Sequence, residues 1–352
     1  MCIRDSRGMP MPDFAADRRL IPRIAQVLPL LSSEEAGAPV TSREQALAVS
    51  HTPEAVARRE LVAAATEAID SEKVVPFAGT STETITFESS PDGNVIPCHV
   101  TRPDGATAAP GVIYLHGGGM ANSSAFDGNY RAFNRMIAHE GAVVVAVDFR
   151  NSIVASASGE IGEFPAGLND CVSAVRWVHA NAESLGIDPD RIVIAGESGG
   201  GNLTLATGLR LLREGDIDLV AGLYAMCPYI ALDRDGETFP SAVEFDGYFL
   251  RVLGEWGRYS YGVAAADAKD PLAWPIFAGT DDVAGLPPTV IRVNECDPLR
   301  DEGIAFFRTL LAAGVPARCD TVMGTMHAVE AIPNVCPEIS RAAARDIVGH
   351  AG

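Results

Sequence analysis

Residues 191–203, RIVIAGESGGGNL, constrain this chain more than any other stretch. Arg191 to Ala195 is a short, β-branched, apolar run of the kind buried in a central parallel strand. Gly196-Glu197-Ser198-Gly199-Gly200 follows at once. From Gly201 the apolar residues Leu203, Leu205, Ala206, Leu209 and Leu212 recur at helical spacing. Strand, glycine-crowded turn and helix together push one serine out above the end of a sheet. Only glycine tolerates the close backbone contacts around it. A helix beginning just behind the serine also favours negative charge at that point. The pentapeptide alone is weak, because glycine and serine are common; the flanking strand and helix give it weight.

Composition narrows the partners. The chain has 352 residues, 47% of them hydrophobic, enough for one large domain or a domain with an inserted lid. Its net charge is −19, and its only lysines are Lys73 and Lys269. An acidic surface repels phosphate backbones, so no nucleic-acid partner is expected. No run of 18 apolar residues exists, so no membrane span is expected. The cysteines Cys2, Cys98, Cys171, Cys227, Cys296, Cys319 and Cys336 show no C-x-x-C spacing. That argues against a zinc or dithiol site and suggests free, buried thiols. Neither lysine lies in a P-loop pattern. No metal or cofactor is therefore expected. With no signal peptide visible, a reducing cytoplasm is the expected compartment. Residues 1–8 read as a sequencing scar, since Met1 to Ser6 resembles a translated library adapter. A leader upstream of that scar is left open.

Residues 9–75 are mostly helical in pattern, and 1–76, scar included, is the expected segment of N-terminal cap helices. Thr52 is the expected N-cap of a helix starting at Pro53. Val56, Leu61, Val62, Ala65 and Ile69 make its apolar stripe, which is expected to pack on a core or serve as a lid. Strands are expected at 84–87, 95–101, 111–115, 142–147, 191–195, 219–226, 288–294 and 317–323, alternating with helices from the third onward. The pattern predicts an α/β fold, a mostly parallel eight-stranded sheet flanked by helices. Residues 77–227 and 275–352 form that domain. Residues 228–274 are aromatic-rich without alternation and read as a cap insertion after strand six.

A serine hydroxyl needs a positioned base. Behind an elbow of this kind the partners follow in the order acid, histidine. Two histidines remain, His327 and His350. His327 directly follows strand eight; His350 is expected to fray near the end. Asp297 ends strand seven, while Asp301 and Glu302 fall in the next helical turn, where carboxylates favour the dipole. His116-Gly117-Gly118-Gly119 follows strand three, where bare backbone N–H groups can approach a developing oxyanion, joined by the N–H of Gly199.

These motifs, with Asp148-Phe149-Arg150, Phe164 to Asp170 and Asp297 to Gly303, resemble the hormone-sensitive lipase family of carboxylesterases in the α/β-hydrolase superfamily. The resemblance runs from about Phe77 to the C-terminus. It implies the α/β-hydrolase fold with a helical cap built from the N-terminal helices and the segment after strand six. It also implies oxyanion donors at Gly118, Gly119 and Gly199. The chain departs from the family pattern at Glu197 (commonly Asp), Gly199 (commonly Ala), Ala328-Val329 (usually Gly-Phe) and Met120 (often aromatic), which bears on substrate preference. The expected activity is hydrolysis of small, short-chain acyl esters by Ser198, His327 and Asp297. An amidase or formamidase with the same triad is the alternative. A non-catalytic receptor is a third reading, disfavoured because His327 is present. The expected partner is a small-molecule ester, and a homodimer is left open.

Overall fold

The computed structural model describes residues 16–31 and 40–352, so the expected scar at 1–8 lies outside the described residues. The chain begins with α1 (Pro22–Leu31), α2 (Arg43–Ser50) and α3 (Pro53–Glu67). The sheet then opens with β1 (Thr80–Glu88), β2 (Val95–Pro103) and β3 (Ala109–Leu115). Next come α4 (Gly128–His139), β4 (Val143–Val147), α5 (Ala166–Ala180), the single turn α6 (Ala182–Leu185) and β5 (Ile187–Glu197). The helix α7 (Gly199–Glu214) starts one residue after Ser198 and leads to β6 (Gly222–Met226). The following segment holds the short helices α8 (Pro240–Glu244), α9 (Trp256–Tyr261), α10 (Val263–Asp267) and α11 (Thr280–Val283). The fold closes with β7 (Thr289–Cys296), α12 (Arg300–Ala312), β8 (Ala317–Met326) and α13 (Pro337–His350).

The eight strands form one sheet in the order β1-β2-β4-β3-β5-β6-β7-β8. β1 and β2 are antiparallel to each other, as are β2 and β4, and the remaining pairs are parallel. From β3 the chain moves outward to β4, then returns across β3 to β5. The strand order therefore reverses beside β3, and the crevice at the carboxyl ends of β3 and β5 is where such sheets bind ligands. Alternation along each strand feeds two cores. Ile113, Leu115, Ile192, Ile194, Leu223 and Ala225 join the core under α5 and α7. Val112, Tyr114, Val193, Ala195, Tyr224 and Met226 face the opposite core, against α4 and α13. Full burial of each large aliphatic residue contributes roughly 1.5–3 kcal/mol.

Several boundaries differ from the sequence reading. β6 starts at Gly222 because Ile217–Leu219 is a 3-10 turn. β8 continues to Met326, which delivers His327 at the strand's end. Thr52 caps α3 as expected, its side chain accepting from Ala55 N at 3.2 Å. Of the expected stripe only Ile69, just beyond the helix, packs in a core. No residue of α3 is buried, and Leu61 and Val62 are 71% and 52% exposed. The helix is held at its C-terminal end instead, where Arg131 of α4 pairs with Glu67 and Asp70. His350 does not fray. Its Nε2 lies 3.0 Å from Pro288 O and its ring meets Tyr224. That is the amino-end edge of β6 and β7, the wrong end of the sheet for the Ser198 partner.

The N-terminal helices reach the segment after β6. Leu20, Ile24 and Leu28 pack with Phe245, Tyr248, Met326 and Val329. Ala46 of α2 packs beside Ala121 and Ile153, with Trp256 and Tyr259 of α9 against them. Asp301 accepts from Ser241 N at 2.7 Å and from Arg300 Nε at 2.9 Å, so it ties the start of α12 to α8. Glu302 goes further than the dipole role expected of it. It is fully buried, paired with the buried Arg234, and accepts from the N–H groups of Ile230 and Ala231. Removing one partner of such a pair strands a buried charge. Arg234→Met should cost about 3–5 kcal/mol in urea unfolding. Arg176→Met, whose partners Glu214 and Asp216 are part-exposed, should cost about 0–1 kcal/mol. Equal losses would show that the Glu302 clamp carries no special weight.

Candidate active site

Ser198 sits between β5 and α7 with φ +57° and ψ −118°. A non-glycine residue holds that conformation only under strong surrounding constraint. The constraint is visible: Ser198 N donates to Met226 O at 2.9 Å, and Ser198 O accepts from Tyr229 N at 3.0 Å. The neighbouring glycines make the turn possible. A Cβ on Gly200 would lie 2.0 Å from Leu115 O, and one on Gly196 would lie 2.5 Å from Gly200 O. Asn202, one turn into α7, donates to Tyr229 O and Ala273 O and fixes the helix to the segment behind it.

Asp297 and His327 meet at the ends of β7 and β8. His327 Nδ1 lies 2.8 Å from Asp297 Oδ2, and both side chains are buried. Asp297 Oδ1 accepts from Leu299 N at 2.8 Å, which orients the carboxylate. Burial pushes the imidazole pKa down, but the adjacent Asp297 carboxylate, helped by Glu197 and Glu330, outweighs it and holds the group above its ordinary value. A more basic imidazole is a better proton acceptor.

The glycine loop after β3 comes against the elbow. A Cβ on Gly199 would lie 2.7 Å from Gly119 N and 2.6 Å from Met120 N. Gly118 and Gly119 take φ +96° and +62°. A Cβ on Gly118 would collide with Asn122 O at 2.2 Å. Among the described residues neither amide donates to a backbone acceptor. The Gly199 amide, in the first turn of α7, has no intrahelical acceptor. Ser198, Gly118 and Gly119 are partly exposed, and Gly199 is buried.

A family model described as alpha/beta hydrolase fold matches residues 112–331. An ethyl acetate hydrolase from Pseudomonas putida is 32% identical over 67% of this chain and 72% of its own length. An arylesterase from Saccharolobus solfataricus is 31% identical over 70% and 76%. The solved structure of esterase Est22 with p-nitrophenol is 49% identical, with a TM-score of 0.93 over 96% of this chain and 99% of that one. Brefeldin A esterase, described as a bacterial homologue of human hormone sensitive lipase, is 36% identical, with a TM-score of 0.84 over 100% and 98%. The chain belongs to the hormone-sensitive lipase family of carboxylic ester hydrolases.

Within this family member the other motif residues hold the loop. Phe149 stacks on His116, ring centroids 4.1 Å apart and 6° from parallel. Asp148 accepts from Ser124 Oγ and Ala125 N. Arg150 forks onto Asp170. Where the family usually has glycine, Ala328 is left-handed at φ +56°. The position demands glycine-like backbone, and alanine meets it at a steric cost of roughly 1–2 kcal/mol. Met120 is likewise left-handed, at φ +57°, and is buried.

Three features escaped the sequence reading. Phe249, from the segment after β6, lies 5.9 Å from the His327 ring. Cys227, the residue after β6, joins Asp297 and His327 in one buried cluster. Glu197, adjacent to Ser198, is fully buried and accepts from Tyr130 Oη at 2.7 Å and Tyr114 Oη at 2.8 Å. Tyr130 Oη also accepts from Gly117 N, so the elbow and the glycine loop share one network.

Burial pushes Glu197 up to about 7, against the two tyrosine donors that favour its charged form. The folded state thus keeps a proton that the unfolded state releases near pH 4.5. Its contribution to stability is full below the unfolded value and is lost as pH rises towards the folded one. Glu197→Gln should flatten the fall in unfolding free energy between pH 5 and about 7. An unchanged pH profile in urea titrations would show that Glu197 is ionised throughout.

Proposed function

We propose that this chain is a serine carboxylesterase for small, short-chain acyl esters. The observation that carries this reading is the 2.8 Å bond between His327 Nδ1 and Asp297 Oδ2, at the carboxyl ends of β7 and β8, on the same edge of the sheet as the Ser198 elbow. Asp297 holds the imidazole in the tautomer with the proton on Nδ1, leaving Nε2 to take the Ser198 proton. Ser198 Oγ attacks the ester carbonyl. The N–H groups of Gly118, Gly119 and Gly199 receive the oxyanion, a contribution of about 2.7–4 kcal/mol per donor in comparable sites. The imidazolium then gives its proton to the departing alcohol, and water releases the acyl group by the same steps in reverse order of roles.

The cap belongs to this proposal. We assign 1–76 and 228–274 to the cap and 77–227 and 275–352 to the hydrolase body, and among the described residues α1 and α2 reach the segment after β6. The packing of α1 and α2 against Phe245, Tyr248 and α9 supports one continuous cover. Phe249 beside His327 narrows the space above the triad. The kinship with an ethyl acetate hydrolase supports a short acyl group, and Est22 with p-nitrophenol makes p-nitrophenyl esters a fitting probe.

Acetyl to hexanoyl p-nitrophenyl esters should give the highest kcat/KM. Faster turnover of matched anilides would favour the amidase alternative instead. Ser198→Ala should remove nearly all hydrolysis while the thermal midpoint holds. The two carboxylates should separate cleanly. Asp297→Asn should lower kcat by about 10⁴, as the equivalent change does in a serine protease. Asp301→Asn, which loosens the tie to Ser241, should lower the thermal midpoint and leave kcat within a few-fold. The reverse pattern sinks the assignment.

A further inference from the structure

The absence of C-x-x-C spacing argued against a metal site, yet three adjacent strands assemble one set of ligand types. Cys227 follows β6, Asp297 follows β7 and His327 follows β8. One ligand atom from each lies within 4.8 Å of the other two, and all three residues are buried. This is the one such group among the described residues. Cys227 is firmly set: its φ is +34° and its N–H donates to Arg292 O at 2.6 Å. Tetrahedral zinc takes sulfur, nitrogen and oxygen at about 2.0–2.3 Å, so its ligand atoms stand roughly 3.5 Å apart. The three side chains need to draw together by no more than about 1.3 Å.

We propose that Cys227, Asp297 and His327 form a binding site for a thiophilic divalent cation, zinc or cadmium, and that its occupation switches the hydrolase off. The charges favour it. On binding, the Sγ–H bond breaks, the proton leaves to solvent and an Sγ–metal bond forms. Dication, thiolate, carboxylate and neutral imidazole then sum to zero, as a buried site requires. A water would complete the tetrahedron as fourth ligand.

The switch rests on the proposed role of His327 as base. A neutral imidazole has one protonated nitrogen and one lone pair. A metal takes the lone pair, so no nitrogen remains to accept the Ser198 proton. The ligand set holds no part of Ser198, so binding and catalysis can be read separately.

The test uses the full chain, stripped with a chelator and titrated with cadmium. One equivalent should raise a thiolate-to-cadmium ultraviolet band, and p-nitrophenyl acetate hydrolysis should fall in step. EDTA should reverse both. Cys227→Ser and Cys227→Ala, each normalised to its own metal-free rate, should lose that band and need at least tenfold more cadmium for half inhibition. The other thiols remain in both variants, so the difference belongs to Cys227. Ser198→Ala, though inactive, should keep the band. A band and an inhibition curve unchanged in both Cys227 variants would overturn the site. Binding that depends on Cys227 but leaves hydrolysis untouched would overturn the switch and the assignment of His327 as base, while the site itself would stand.

Discussion

The backbone of Ser198 is held where an L-residue does not rest by itself. At φ +57° and ψ −118° it stores roughly 1–3 kcal/mol of strain. The rest of the sheet is arranged to hold it. β5 is clamped between β3 and β6, both fully buried at this level, and α7 leaves at once in a fixed direction. Glycines at 196 and 200 let the turn press against the backbone of β3. A surface loop could not keep the serine raised in this way, because nothing there would oppose its relaxation.

Four carboxyl side chains do four different jobs in this protein. Asp297 orients an imidazole, Asp301 joins α12 to α8, Glu302 clamps Arg234, and Glu197 braces two tyrosines. Environment separates them. Asp297 lies against His327, whereas burial drives Glu197 towards the neutral acid and raises Glu302 against the pull of Arg234. In a family that commonly has aspartate before the serine, the extra methylene of Glu197 lets the carboxyl reach both tyrosines. Through Tyr130 it also reaches Gly117 of the glycine loop.

Much of this was legible in the sequence because each strand ends on the residue that matters. The apolar runs before His116, Ser198, Asp297 and His327 fixed strand and edge at once. The eight strands were found, with boundaries displaced by a few residues where a 3-10 turn or a longer hairpin intervened. What failed was what depends on partners distant in sequence. The α3 stripe has helical spacing, but nothing lies opposite Leu61 and Val62 to bury them. His350 looked terminal, yet Pro288 and Tyr224 hold it. Glu302 looked like a first-turn carboxylate, because Arg234 lies far from it in the chain. Cys227 carried no motif at all, since its neighbours come from two other strands.

The order of the strands has a consequence for the newly made chain. The glycine loop leaves the ribosome early, near residue 116, and His327 emerges only after β8, the last strand. No fragment that stops short of β8 carries His327, the proposed base, however well its first strands have paired. On the proposed mechanism, nascent and truncated chains therefore carry a silent Ser198, and hydrolytic competence arrives only when the final edge strand docks beside β7.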